Sequence, residues 1–258
     1  MLFRSAQQPK KGGTLQFAIS AETPHYDNHG SDTYATLHFA APFYSTLLRF
    51  NLDKFPEVQG DLAQSWEVAP DLMTYSFKLH GGVKFHNGEE LTSADVKASY
   101  DRLRNPPQGV VSTRRATFSD IGTIETPDAT TVIFKMKSVN AAMLEHFASP
   151  WNCIYSAKDL AADPNSPKVK INGTGPFIFG EHVKGSHVTG KKNPNYFKAG
   201  LPHLDEWKGV FMLRRRRCST RCRVARCWPS SAASRQPSVT VLSRRWATSC
   251  ASRSRAGR

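Results

Sequence analysis

At Leu213 this 258-residue chain changes character, and that break limits how much of it can build a packed core. Residues 213–258 hold 13 Arg, 9 Ser and 4 Cys, with no Lys, Asp or Glu. Residues 1–212 hold 22 of the 35 Lys and Arg and all 21 Asp and Glu. The formal charge of +14 therefore divides into +1 before the break and +13 after it. A basic balance ordinarily points to nucleic acid or an anionic surface. Here it describes the last segment alone. Arg214–Arg217 has the look of a nucleic-acid patch, so a nucleic-acid-binding protein using this tail is the alternative function. Basic arms, however, usually mix Lys with Arg. Thirteen Arg without a Lys fit GC-rich DNA translated out of frame, and residues 213–258 are expected to be such a tail, disordered. Cys218, Cys222 and Cys227 lack the spacing of paired zinc knuckles, and no His occurs among them.

The remaining exclusions concern residues 1–212. Cys153 is their single cysteine, so no disulfide framework is implied. No run of 18 apolar residues occurs, which argues against a transmembrane helix. Residues 1–10 lack the apolar centre of a signal peptide. Either the protein is not exported or its signal lies upstream of this start.

Thr14–Ile19 alternates and predicts a strand. A polar loop spans 22–32. Leu37, Ala41, Tyr44 and Leu48 then recur at helical spacing, with Pro42 expected to kink or split the helix. Trp66–Val68 and Thr74–Leu79 predict a hairpin around Pro70-Asp71. Thr92 with Asp95 reads as a capping box opening a helix through Val96, Tyr100 and Leu103, stopped by Asn105-Pro106-Pro107. Strands are expected at 121–125, 131–136, 177–179, 187–191 and 207–212, with short helices at 141–147 and after Ser156. Mixed strands and helices predict an α/β (mixed α+β) fold.

No motif carries catalysis. There is no phosphate-binding loop, nucleophile-elbow serine, H-E-x-x-H or C-x-x-C. Gly173-Thr-Gly-Pro176 leads into a strand and reads as a tight backbone crossing rather than an anion cradle. His25 and His29 stand four apart but read as exposed loop histidines. Asp27 and Asp32 read as solvated loop carboxylates, and Cys153 as a small buried hydrophobe. Not an enzyme, and no metal or cofactor, is the expectation.

Five segments in order carry a family resemblance. They are Lys11-Gly-Gly-Thr-Leu15; Leu62-Ala-Gln-Ser-Trp66 running on to Phe77-Lys-Leu-His80; Gly82-Val-Lys-Phe-His-Asn-Gly88 with Leu91-Thr-Ser-Ala-Asp-Val96; Gly173-Thr-Gly-Pro-Phe177; and Lys192-Asn-Pro-Asn-Tyr-Phe-Lys198 with Gly200-Leu-Pro-His-Leu-Asp205. Together they resemble the extracellular solute-binding proteins of the peptide/nickel class, family 5, over about residues 10–212. The resemblance implies a periplasmic-binding-protein-like type II fold, with residues 11–212 as the first lobe and a subdomain at about 40–170. It implies a monomer, periplasmic or a cell-surface lipoprotein. Such a protein captures a peptide or small-molecule ligand between lobes and hands it to an ABC permease in the inner membrane. Relatives continue past the strand at 207–212 with a helix ending in small-Gly-Glu-[Ile/Leu/Val]-Asp, where this chain has Leu-Arg-Arg-Arg-Arg. The chain is accordingly expected to be truncated after the first lobe and inactive. By position, Asp32, Thr33 and Tyr34 match the segment that reaches the cleft. Asp32 then either accepts from a ligand amine or caps the helix that follows. Trp151 either lines the cleft or packs in the core, with core packing favoured.

Overall fold

Two sheets share the described residues because the chain leaves the first one, completes a second, and returns. The computed structural model describes residues 10–212, all within one unit, Met1–Leu213. The expected out-of-frame tail and N-terminal remnant lie outside the described residues, apart from Lys10. The first sheet has the order β1 (Thr14–Ile19), β10 (Glu206–Phe211), β9 (His187–Lys192), β8 (Phe177–Val183). Strands β1 and β10 pair in parallel, from Thr14 opposite Glu206 to Ile19 opposite Phe211, while the other pairs are antiparallel. Residues almost 200 apart are thus neighbours. Thr14 Oγ1 donates to Glu206 at 2.9 Å, and the Gly13 amide donates to Asp205 at 3.0 Å. Among the described residues β1 is an edge strand, with Leu15 and Phe17 more than 40 % exposed.

Helix α1 (Tyr34–Ala40) starts at an N-cap, Thr33, whose side chain accepts from the Thr36 amide. The helical spacing predicted continuation to Leu48. The structure instead ends the α-helix at Ala40, passes through a 3₁₀ turn at Ala41–Phe43, and extends the chain at Tyr44. Pro42 is the reason: it has no N–H for the α-helical ladder and its ring clashes with the preceding turn. Leu48 opens β2 (Leu48–Phe50), which pairs with β3 (Val58–Gly60).

The second large sheet is antiparallel, ordered β4 (Ala63–Val68), β5 (Thr74–Leu79), β7 (Thr131–Met136), β6 (Ile121–Asp128). The expected hairpin is present, with Val68 opposite Tyr75, although β4 begins three residues before Trp66. Helix α2 (Ser93–Arg104) begins where predicted: the Thr92 amide donates to the Asp95 carboxylate at 2.7 Å. The other oxygen of Asp95 accepts from the Ala157 amide at 2.7 Å, which fixes α4 (Ala157–Ala162) to α2. Helix α3 (Met143–Ala148) sends Phe147 among Tyr75, Phe77, Tyr100 and Phe134, with ring centroids 4.8–5.9 Å apart.

Two cores result. One gathers side chains from Leu47 to Ile154; the other joins Ile19, Phe39 and Phe43 to Cys153, Tyr155, Phe177, Val188, Trp207 and Phe211. The crossing between them is the glycine-rich segment. The Gly175 amide donates to the Phe43 carbonyl at 3.0 Å, and a Cβ at Gly175 would sit 2.4 Å from the Phe43 carbonyl carbon. At Gly173 it would sit 2.1 Å from the Phe43 oxygen. The backbones meet where no side chain fits, as the reading of Gly173-Thr-Gly-Pro176 as a crossing requires. Gly175→Ala is predicted to lower the unfolding free energy by about 1–3 kcal/mol, the usual cost of forcing atoms into a packed interior. Urea denaturation checks this, and an unchanged midpoint would refute the crossing.

Candidate functional site

The polar loop before α1 is held from within. Asp27 and Arg102 are 0 % and 3 % exposed at their side chains. Arg102, on α2, grips the carboxylate with both terminal nitrogens, Nη2 to Oδ2 at 2.7 Å and Nη1 to Oδ1 at 3.2 Å. Arg102 Nε donates to the Pro164 carbonyl at 3.3 Å. The Tyr155 hydroxyl and the His29 amide also donate to Asp27 Oδ1, at 3.2 and 3.0 Å. The Asn28 amide donates in turn to the Tyr155 oxygen at 2.9 Å. Burial alone would raise the Asp27 carboxyl; the hydrogen bond and charge of Arg102, with His29, outweigh it and hold the pKa below its usual value.

Sequence reasoning placed Asp27 and His29 in solvent, and the structure corrects both. Each is 0 % exposed. The correction has a cause 75 residues away: Arg102 supplies a countercharge that no local pattern announces. His29 Nε2 lies 2.9 Å from the Cys153 carbonyl oxygen and must carry a proton there. Burial first, then the charge of Arg102, push its pKa down to about 3. Cys153 is 1 % exposed, and burial pushes its thiol up to about 12, so it is the inert hydrophobe expected. Among the described residues no group of three His, Cys, Asp or Glu is placed to hold a metal.

Above this buried layer the loop presents a surface. Arg114 spans it, with Nη1 donating to the Asn28 carbonyl at 3.1 Å and Nη2 to the Ser31 carbonyl at 2.8 Å. Its guanidinium lies 5.3 Å from the centre of the Trp151 ring system. Tyr34, 65 % exposed, has its ring 5.5 Å from that of Trp151. Asp32, Arg114, Trp151 and Asn152 line a concavity of about 290 Å³. Of the four sequence candidates, Asp32 and Trp151 therefore line one hollow, and Tyr34 lies against Trp151 outside that lining. Thr33 stands beside them, but its hydroxyl is engaged within α1's first turn by Thr36 and Ser31. The helix cap is Thr33, not Asp32. Trp151 is half-buried and belongs to neither core, against the packing first favoured for it. Arg114 and Asn152 escaped sequence reasoning. Arg114 sits in an irregular stretch beside Arg115, with no periodicity to mark which of the two turns inward.

Comparison with known proteins gives these positions a context. Residues 57–212 match the profile of the bacterial extracellular solute-binding proteins, family 5 Middle. An ABC transporter peptide-binding protein of Brucella ovis is 37 % identical over 160 residues, covering 60 % of this chain and 29 % of the relative. The glutathione-binding protein GsiB of Pectobacterium atrosepticum is 31 % identical over 195 residues, covering 75 % and 37 %. The chain thus spans about a third of the length of the curated relatives it matches. Among solved structures, AgaA of A. tumefaciens R10, in complex with agropinic acid, superposes with TM-score 0.72 at 35 % identity, over 77 % of this chain and 40 % of that one. The oligopeptide-binding protein AppA of Bacillus subtilis, in complex with a nonapeptide, gives 0.72 at 25 % identity, over 80 % and 41 %. The mixed α/β architecture is that of these type II periplasmic binding proteins.

The buried layer sets two stability predictions. Arg102→Met strands an uncompensated carboxylate and is predicted to cost about 3–5 kcal/mol at neutral pH by chemical denaturation. His29 is neutral when folded but takes up a proton on unfolding below pH ~6.5, so the unfolded state binds more protons between its two pKa values. Stability should therefore fall as pH falls from ~6.5 towards 3, by up to ~1.4 kcal/mol per pH unit. His29→Gln should make that slope shallower, leaving the part due to His86, whose pKa burial also lowers; an equal slope in the variant would show that His29 does not titrate as placed.

Proposed function

Since this chain belongs to the bacterial extracellular solute-binding proteins of family 5, we propose that it provides the first-lobe wall of the substrate-binding component of an ABC importer. Its ligand is a peptide or similar small solute, its membrane partner an inner-membrane permease, and its working form a periplasmic or surface-anchored monomer. The match over residues 57–212, in a fold shared with AgaA and AppA, carries the reading. Nothing in the role demands bond-making. The hollow beside α1 suits binding: it is concave, joins an aromatic surface to a few polar groups, and stands on a rigid buried layer. Asp32 accepts from a ligand ammonium or hydroxyl, Arg114 donates, and Trp151 with the neighbouring exposed Tyr34 offers ring surface. Thr33 contributes by fixing the start of α1. Among the described residues no helix is long and apolar enough to cross a membrane.

The role also explains the composition break. We read residues 213–258 as a shifted frame, entered where relatives cross into their second lobe. In this form the chain offers one wall, and solute binding is weak. Arg-tail binding to nucleic acid, the second reading, rests on the 13 Arg alone.

Two outcomes test the proposal. Codons after 212, read in the other two frames, should encode a family-like second lobe, and a chain rebuilt in that frame should bind peptide by calorimetry, with Asp32→Ala weakening it about tenfold. No family-like sequence in either frame would sink the frame reading. Tight duplex DNA binding by the 258-residue chain, steeply salt-dependent and abolished by deleting 213–258, would favour the second reading instead.

A further inference from the structure

The chain has two Asn-Gly dipeptides, Asn87-Gly88 and Asn172-Gly173, and the fold brings them together. The Asn87 amide donates to Asn172 Oδ1 at 3.3 Å, and the His86 amide donates to the Gly173 carbonyl at 2.8 Å. His86 Nε2 lies 3.1 Å from the Gly175 carbonyl oxygen. The turn at residues 85–88 thus clasps the glycine crossing that joins the two cores. Asparagine is a thermolabile residue, and most so before glycine, which has no side chain to shield its backbone nitrogen from the asparagine side chain.

The two dipeptides are held differently. Asn172 is 6 % exposed. Its Nδ2 donates to Asp159 of α4 at 2.6 Å while its Oδ1 accepts from Asn87, so two separate segments pin its Cγ. Gly173 is packed against the Phe43 carbonyl. Asn87 and Gly88 are both exposed, and a Cβ at Gly88 would meet nothing within 4 Å. Gly88 holds φ at +89° in a loop closed by the Phe85 amide, which donates to the Glu89 carbonyl at 2.8 Å. The side-chain partners of Asn87 both belong to Glu89. Oδ1 accepts from the Glu89 amide at 3.1 Å, and Nδ2 donates to the Glu89 carboxylate at 2.9 Å. The Gly88 amide donates to the Phe85 carbonyl at 2.9 Å. These bonds lie within one surface turn, and local opening releases them without unfolding either core.

We propose that Asn87-Gly88 is a site of spontaneous deamidation and isoaspartate formation, from which the fold shields Asn172-Gly173. The Gly88 nitrogen gives its proton to solvent and bonds to Asn87 Cγ. The Cγ–Nδ2 bond breaks, and Nδ2 takes up a proton and leaves as ammonia, closing a succinimide ring. Water then opens the ring at either carbonyl and leaves aspartate or isoaspartate; nothing is oxidised or reduced. Aspartate sets a carboxylate where Nδ2 now donates to Glu89, so an attractive contact becomes a repulsive one. Isoaspartate adds a carbon to the backbone between residues 87 and 88, which shifts the turn that aligns the His86 and Asn87 amides with Gly173 and Asn172. Either product holds the glycine crossing less firmly.

The test ages the 258-residue chain in weakly alkaline buffer, both folded and in guanidinium chloride, and follows the two Asn-Gly peptides by mass spectrometry. Methyl transfer from S-adenosylmethionine by protein isoaspartyl methyltransferase counts the isoaspartate formed. In denaturant the two sites should react at similar rates. In the folded chain Asn87 should react at least tenfold faster than Asn172. Equal rates in the folded chain, or an intact Asn87 there while the denatured sample reacts, would overturn the site. A thermal melt reads the effect on the crossing. Its midpoint should fall as isoaspartate accumulates, and Asn87→Ser, which cannot form the succinimide, should keep its midpoint through the same ageing. An unchanged midpoint in the aged, modified chain, or an equal fall in Asn87→Ser, would overturn the loosening of the clasp.

Discussion

A carboxylate and a guanidinium buried together, Asp27 and Arg102, are the constraint from which the rest of the site follows. Burying either charge alone costs several kcal/mol, and a pair in the interior recovers that cost only with good geometry and further hydrogen bonds. Both conditions hold. The contact is bidentate, and Tyr155, the His29 amide and the Pro164 carbonyl take up the remaining valences. The centre of the polar loop, residues 27–29, can therefore lie inside the protein, tied at once to α2, to residues 153–155 and to the turn after α4. Replacing the pair by apolar residues could preserve stability, but nothing apolar would draw the backbone of 27–31 into the same path. That path sets where the carbonyls of Asn28 and Ser31 meet Arg114, and where Asp32 and Tyr34 emerge.

The same economy of long-range contacts governs the scaffold. The parallel pairing of β1 with β10 joins the first and last described strands, and the backbone crossing at Gly173 and Gly175 seals the chain against Phe43. Between them the antiparallel sheet β4-β5-β7-β6 closes its own core and returns the chain near where it left. The hollow stands where the end of the loop at Asp32, the stretch holding Arg114 and Thr117, His146 of α3 and residues 149–152 meet. A rigid wall of this kind suits a ligand captured against it, because ordering costs are met in folding rather than at binding.

What the sequence disclosed was local, and what it concealed was not. Strands such as Thr74–Leu79 and Thr131–Met136 alternate cleanly and are bounded by turns, so period alone finds them. The Thr92–Asp95 cap is likewise written in four residues. Leu48–Phe50 and Val58–Gly60 are three-residue strands, too short for a period, and Leu48 fell by chance on a helical spacing that Pro42 cuts. The fates of Asp27 and His29 were illegible because their surroundings depend on Arg102 and Tyr155, far along the chain. Asp32, Thr33 and Tyr34 were named through resemblance rather than chemistry. Trp151 was named but assigned to the core, since an indole is more often packed than left half open. The composition break was legible outright, and it kept the charge of residues 213–258 from being mistaken for the character of residues 1–212.

If the buried pair is what holds the polar loop, the amides of Asn28 and His29 should be among the slowest to exchange. Each donates to an oxygen of the buried network, Tyr155 and Asp27 respectively. Native-state hydrogen exchange followed by NMR measures this directly. The account predicts that both amides open only with global unfolding, with protection equal to that of the β10 core. Fast, denaturant-independent exchange at Asn28 and His29, in a chain whose β10 amides stay protected, would show that the loop moves free of Arg102 and would contradict it.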